Sequence, residues 1–274
     1  MKPVQASVRL VCHSPSPEAL LAAAATLCYA ADTECLFDQE PAVAGKFVAR
    51  LRELGHMSPL EHASFTFYLE GVSRAMTHQL VRHRVASYSQ RSQRYVGHDD
   101  FDFVVPPQFE GKKVADRGGE LDAVQYFTDT MKLIAERYRA LNEALGRTGE
   151  GSNEDARYVL PNACESKIVV TMNARELLHF FEERLCLRAQ WEIRGVADRM
   201  LDEARQVLPA VFGGVGPKCI RLGRCPEGKM TCGRHAEMVE RYSPAGQACR
   251  HPPKRGLAAA DAPAPRDRRD APTT

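Results

Sequence analysis

Gln79-Leu-Val-Arg-His-Arg84 runs straight into Val85-Ala-Ser-Tyr-Ser-Gln-Arg-Ser92-Gln-Arg-Tyr95, and the reading of this stretch decides what the chain is. Gly71-Val-Ser73 breaks a preceding strand and caps a helix predicted from Arg74 to about Arg84. Residues 85–95 are polar and poor in β-branched side chains, which predicts an extended loop. Two guanidinium groups and an imidazole close the helix, and hydroxyls, amides and further arginines follow. That combination suits the grip of a phosphate and a polar heterocycle, because arginine offers planar donors in pairs. Gln79 and Arg82, three apart, point at one ligand, and His83 faces elsewhere.

Upstream, Phe65, Phe67 and Leu69 alternate with Thr66 and Tyr68 as in a half-buried strand, entered through the turn Ser58-Pro-Leu-Glu-His62. Before the turn, a helix over 41–54 closes on Gly55, and the chain opens with a strand over 7–13 and a helix over 16–29. Downstream, Leu121, Val124, Phe127, Met131, Ile134, Tyr138, Leu141 and Leu145 recur at helical spacing and predict a helix over 119–145. A short helix over 153–159 stops at Pro161. A strand covers 167–172, and a helix capped by Asn173 reaches about Leu208 with a break near Cys186. The pattern reads as α/β of the α+β type, a mixed sheet packed against long helices. No Gly-x-Gly-x-x-Gly fingerprint or Walker loop is present.

The domain carrying these elements spans 1–212, long enough to bury a substantial core. A Cys/Gly-rich appendage is expected over 213–251, outside the core. The Ala/Pro/Arg/Asp/Thr-rich tail, 252–274, is expected to be disordered, since it cannot bury enough apolar surface to offset ordering entropy. Nine cysteines without a secreted-type framework, and no long apolar run, place the protein in the cytoplasm with no membrane partner. The net charge of +2 hides a local cluster, Arg74, Arg82, Arg84, Arg91 and Arg94, that suggests an anionic ligand rather than a generally basic surface.

Arg-His-Arg, seven residues and then Ser is a far more specific pattern than a charge cluster. It resembles the signature of the flavin-dependent thymidylate synthases. Three further blocks resemble the same family in order: Gly55-His-Met-Ser-Pro-Leu-Glu-His62, Ala156-Arg-Tyr-Val-Leu-Pro161, and Asn173-Ala-Arg-Glu-Leu-Leu-His179 through Arg184 to Gln190-Trp-Glu-Ile-Arg194. The resemblance covers about residues 7–212. It implies conversion of dUMP to dTMP, with FAD as cofactor, NADPH as its reductant and methylenetetrahydrofolate as carbon donor, in a homotetramer with active sites at subunit interfaces.

Residue by residue, the resemblance implies FAD contacts from Ser58, Arg82, His83, Arg84, Gln90, Asn173, Arg175 and His179. It implies dUMP contacts from Gln79, Arg82, Gln90, Arg91, Ser92, Gln93, Arg94, Arg157 and Arg184. Ser92, Arg94 and Arg157 suit a phosphate dianion. Ser92 reads as a binding hydroxyl and not a nucleophile, since the sequence places no base beside it. Arg184 is the expected catalytic residue: a fixed cation favours uracil ionised at N3 and enriches C5. His56 is a possible pocket residue, and His62 is expected to be structural.

Cys164 and Cys186 read as small core residues, and the Pro-Cys-His context of a cysteine nucleophile does not occur. Cys219, Cys225, Cys232 and His235 are candidate zinc ligands. Their gaps are longer than the usual two to four residues, so no metal is expected. The rival readings are a nucleic-acid module, with Arg74 to Arg94 tracking phosphates and the cysteines as a knuckle, and another flavoprotein of the same fold. The four blocks favour the enzyme, and no nucleic-acid partner is expected.

Overall fold

A computed structural model describes residues 1–116 and 118–242. The tail expected over 252–274, and the end of the expected appendage, lie outside them. Four strands form one sheet in the order β1-β2-β6-β3: β1 (Ser7–His13), β2 (Ser64–Ser73), β3 (Ala86–Gln90) and β6 (Glu165–Asn173). A hairpin of β4 (Lys113–Asp116) and β5 (Gly119–Asp122) stands apart. The α+β class holds, but every pairing in the four-stranded sheet is antiparallel where a mixed sheet was expected.

One face of the sheet is apolar. Phe65, Phe67 and Leu69 of β2 and Ile168, Val170 and Met172 of β6 alternate inward and meet α6 (Ala174–Arg184) and α7 (Trp191–Val207). Phe180 and Phe181 of α6, and Ile193, Val196, Met200 and Leu201 of α7, are fully buried. Two earlier helices, α1 (Pro17–Thr26) and α2 (Pro41–Glu53), add Leu21, Ala44 and Val48 to the same core. The opposite face is polar: Thr66 and Thr171 share a 2.9 Å hydrogen bond across β2 and β6, and Lys167 pairs with Glu70.

Three local readings change. The strand β2 does not end at Gly71. It bulges between Leu69 and Val72, where Gly71 adopts φ +65° and a Cβ would sit 2.2 Å from the Gln5 carbonyl oxygen, so only glycine fits. Ser73 then caps α3 (Arg74–Leu80), its hydroxyl accepting from Met76 N–H at 3.0 Å. Within the stretch expected as a loop, Ala86–Gln90 form the edge strand β3, because β6 has an unpaired edge that satisfies its backbone, and residues 91–95 stay outside any strand. The long helix α4 (Ala123–Ala144) begins after Gly119, since residues 119–122 pair in the hairpin and the Asp122 carboxylate caps its N-terminus through Gln125 N–H.

A second, smaller core packs Phe101, Phe103 and Cys164 against Met131 and Ala135 of α4. Next to it lies α5 (Glu150–Ala156), continued by a 3-10 turn over Arg157–Val159. The last helices are α8 (Pro209–Phe212), α9 (Lys218–Arg221) and α10 (His235–Tyr242). The segment expected to stand outside the core contributes Val215, Met238 and Tyr242 to it. Among the described residues, no helix is long and apolar enough to cross a membrane.

Candidate active site

The sheet sets the site at the two ends of α3. At its C-terminal end the chain turns through Arg82, His83 and Arg84 into β3, and the turn is held by the Tyr88 hydroxyl, 2.8 and 2.7 Å from the Leu80 and His83 carbonyl oxygens. Arg82 and Arg84 are exposed and form no ion pair among the described residues. His83 is 6% exposed and turns back onto α6, between His179 and the edge of Phe180.

Both nitrogens of His83 are engaged. Arg184 Nε–H donates to His83 Nε2 at 3.0 Å, so that atom carries a lone pair and the proton resides on Nδ1, which lies 3.2 Å from Glu176 Oε1. Burial, with Arg184 and then His179 beside the ring, pushes the His83 pKa down to about 4, so the imidazole is neutral at pH 7. Burial raises that of Glu176. His83, Glu176 and His179 present ligand atoms within 4.8 Å of one another. The Arg184 guanidinium already occupies the His83 lone pair, and a metal ion there would face that fixed cation.

Around this anchor, Asn173 caps α6, its side-chain oxygen accepting from Glu176 N–H at 2.8 Å. Arg175 pairs with Glu61 in the 3-10 turn Ser58–His62. Ser58, His56, His62, Arg175 and His179 are exposed. Arg184 forms no ion pair among the described residues, so its terminal nitrogens are available to a ligand.

A second group gathers at the N-terminal end of α3. Arg94 is clamped by Glu150 at 2.7 Å and Glu154 at 2.8 Å from α5, and its buried Nε lacks a hydrogen-bond partner. Arg157 Nε donates to the Glu154 carbonyl at 3.1 Å. The Ser92 hydroxyl accepts from Arg94 N–H at 3.2 Å, and the Gln93 amide reaches the Cys164 sulfur at 3.8 Å. Arg91 lies 3.9 Å from Glu165. Gln90 bonds inward to Thr77 and Ser166, and the Gln79 amide lies 3.4 Å from the Ala75 carbonyl of its own helix.

Arg74 is counted by the sequence in its anion-binding cluster but not among the dUMP contacts. It is half-buried, and its pKa is lowered by burial and then, against Cys164, by Arg157. Arg74 feels the charge of Arg157 and neither forms an ion pair among the described residues, an arrangement that suits an anion. The available signal was positional: a cation at the first residue of a helix opposes the helix dipole, a cost that an anionic ligand offsets. The expectation that His83 faces elsewhere than Arg82 holds: His83 is buried against α6 and Arg82 is exposed.

The expected core cysteine Cys164 is fully buried, with its thiol pushed up to about 12 by burial. Cys186 differs. It is half-exposed and lines a cavity with Cys219, Cys225 and Cys232. His235 lines the same cavity, but its Nε2 lies 3.1 Å from the Cys219 carbonyl oxygen.

Residues 9–210 match the family described as thymidylate synthase complementing protein. The flavin-dependent thymidylate synthase of Nitratidesulfovibrio vulgaris is 52% identical over 241 residues, covering 83% of this chain and 94% of the relative. The one from Clostridium tetani is 46% identical over 247 residues, covering 88% and 98%. Among solved structures, a UMP/dUMP methylase, PolB, from Streptomyces cacaoi bound with 5-Br dUMP superposes with a TM-score of 0.63 at 27% identity, covering 77% of this chain and 94% of that one.

Proposed function

From the premise that this chain belongs to the flavin-dependent thymidylate synthases, we propose that it methylates dUMP to dTMP. Methylenetetrahydrofolate supplies the carbon, and FAD reduced by NADPH supplies the hydride. The observation that carries the reading is the anchored, carboxylate-free Arg184 at one end of α3 and the carboxylate-free Arg74 and Arg157 at the other.

The donor set fits a dinucleotide carrying a diphosphate: Arg82 and Arg84 are exposed without carboxylate partners, and Arg175, His179, Ser58 and Asn173 lie by the N-terminal half of α6. These residues would hold FAD. For dUMP, Arg74, Ser92, Arg94 and Arg157 hold the phosphate dianion, and Gln79, Arg82 and Gln90 to Gln93 flank the nucleotide. Arg184 presents its terminal nitrogens to the uracil, and its fixed charge favours loss of the N3 proton and raises electron density at C5. His83 keeps Arg184 in place.

Seven residues of helix separate the two ends of α3 by roughly 10 Å, at about 1.5 Å per residue. A homotetramer with active sites at subunit interfaces is what membership of the family implies. Thiols in a reducing compartment fit the cytoplasm. A tritium-release assay on [5-3H]dUMP with FAD, NADPH and methylenetetrahydrofolate tests the reading. Release dependent on all three is expected; a colourless protein that fails to bind dUMP sinks it.

A further inference from the structure

A cavity of about 190 Å³ lies between the α6–α7 connection and the C-terminal segment. Four thiols line it, Cys186 from the connection and Cys219, Cys225 and Cys232 from the segment, with Met238 and Leu187 supplying apolar wall. The segment is fastened over the cavity. Lys218 pairs with Glu183, Arg221 with Glu182 at 2.6 Å and Arg188 with Glu227 at 2.5 Å, and Met238 and Tyr242 are buried in the main core. We propose that these four cysteines hold a thiophilic metal centre, a zinc ion or an iron–sulfur cluster, bound as thiolates.

Convergence carries this. Cys186 lies more than thirty positions before Cys219, yet folding sets it with Cys219, Cys225 and Cys232 around one cavity, and the ion pairs and buried side chains of the segment hold the thiols there. Softness matches as well, since tetrathiolate sites select zinc or iron–sulfur groups. No three of the four sulfurs lie within 4.8 Å of one another among the described residues. A single zinc ion therefore asks the thiols to draw closer together than they stand.

Cys186 follows Arg184 by two residues, and Arg184 itself lines the cavity. A centre there would stiffen the end of α6 that carries the active-site cation.

The full chain, purified without oxygen and without a metal-affinity column, is assayed for zinc, iron and acid-labile sulfide. About one zinc per chain, or about four iron with four sulfide, supports the proposal and identifies the centre. Cys186→Ser and Cys232→Ser should lose the metal, whereas Cys12→Ser, at an exposed strand position, should keep it. Should the serine variants not fold, Co(II) titrated into metal-stripped wild type gives a second reading, an intense thiolate-to-cobalt absorption. Metal below about 0.1 per chain with no cobalt band, or disulfides among these cysteines in the native protein, overturns the proposal.

Discussion

The Nε–H of Arg184 donates to Nε2 of His83 across 3.0 Å, joining the end of α6 to the turn between α3 and β3. A neutral imidazole is what makes this bond possible, because a protonated ring has no lone pair to offer. Arg184 is thereby fixed without losing charge, and its terminal nitrogens stay available.

His83 is accordingly a positioning residue. Replacing it with Ala is expected to lower kcat by roughly 10- to 100-fold, on the scale seen when a residue supporting a functional ligand is lost. Arg184→Ala should retain flavin and lose most turnover. Steady-state kinetics with absorbance at 450 nm separate the effects: full turnover in His83→Ala contradicts the role, and loss of the yellow colour makes His83 a flavin contact instead.

The same ring sets a pH dependence. His83 is pushed down to about 4 from an ordinary value of 6.5, so between these limits the unfolded chain binds a proton that the folded one refuses. Its contribution to stability is fully present above about pH 6.5 and is lost as the pH falls towards 4. The facing Glu176, raised by burial, acts in the opposite sense from its ordinary value upward. Thermal unfolding followed from pH 7 to 4 should show a steeper fall for wild type than for His83→Gln; parallel curves refute the linkage.

Arg74→Met is expected to raise KM for dUMP by roughly 10- to 100-fold, the worth of one charge-assisted hydrogen bond at about 1.5–3 kcal/mol. Because Arg74 is held beside Arg157, the folded protein should not be destabilised by the change. An unchanged KM, or a lowered Tm with unchanged dUMP affinity, removes Arg74 from the phosphate site.

Glu192 of α7 accepts from the Ser73 backbone N–H and hydroxyl, both at 2.6 Å, and is 4% exposed. Glu192→Ala leaves two buried donors at the cap of α3 unpaired, with an expected cost of about 2–4 kcal/mol. Urea denaturation measures it, and a cost below about 0.5 kcal/mol shows that water replaces the carboxylate.

Alternation of Phe65, Phe67 and Leu69 fixed β2, and the heptad-like run through Tyr138 fixed most of α4, because both patterns are local and one-faced. The strand β3 was illegible for the converse reason. Its Ser-Tyr-Ser-Gln core has weak preference of its own and becomes a strand only because β6 offers an open edge. Likewise Gly71 reads as a break until the Gln5 carbonyl beside it shows a bulge. At the site, Ser92, Arg94 and Arg157 were legible as anion-binding types in a specific order. What the sequence did not reveal was Arg74 beside Arg157 or Cys186 among the cysteines, since each is separated from its partners by long stretches of chain.

Residue order alone determined the family, the α+β class and the roll of arginines, because these depend on which chemical groups occur and on their spacing along the backbone. Tertiary structure alone decided that His83 faces inward to hold Arg184, that the arginines divide between the two ends of α3, and that Cys186 joins three thiols some thirty or more positions away. The physical reason is that hydrogen bonds and Coulomb interactions act through space over a few ångströms. Chain separation carries no record of which distant side chains folding will bring within that range.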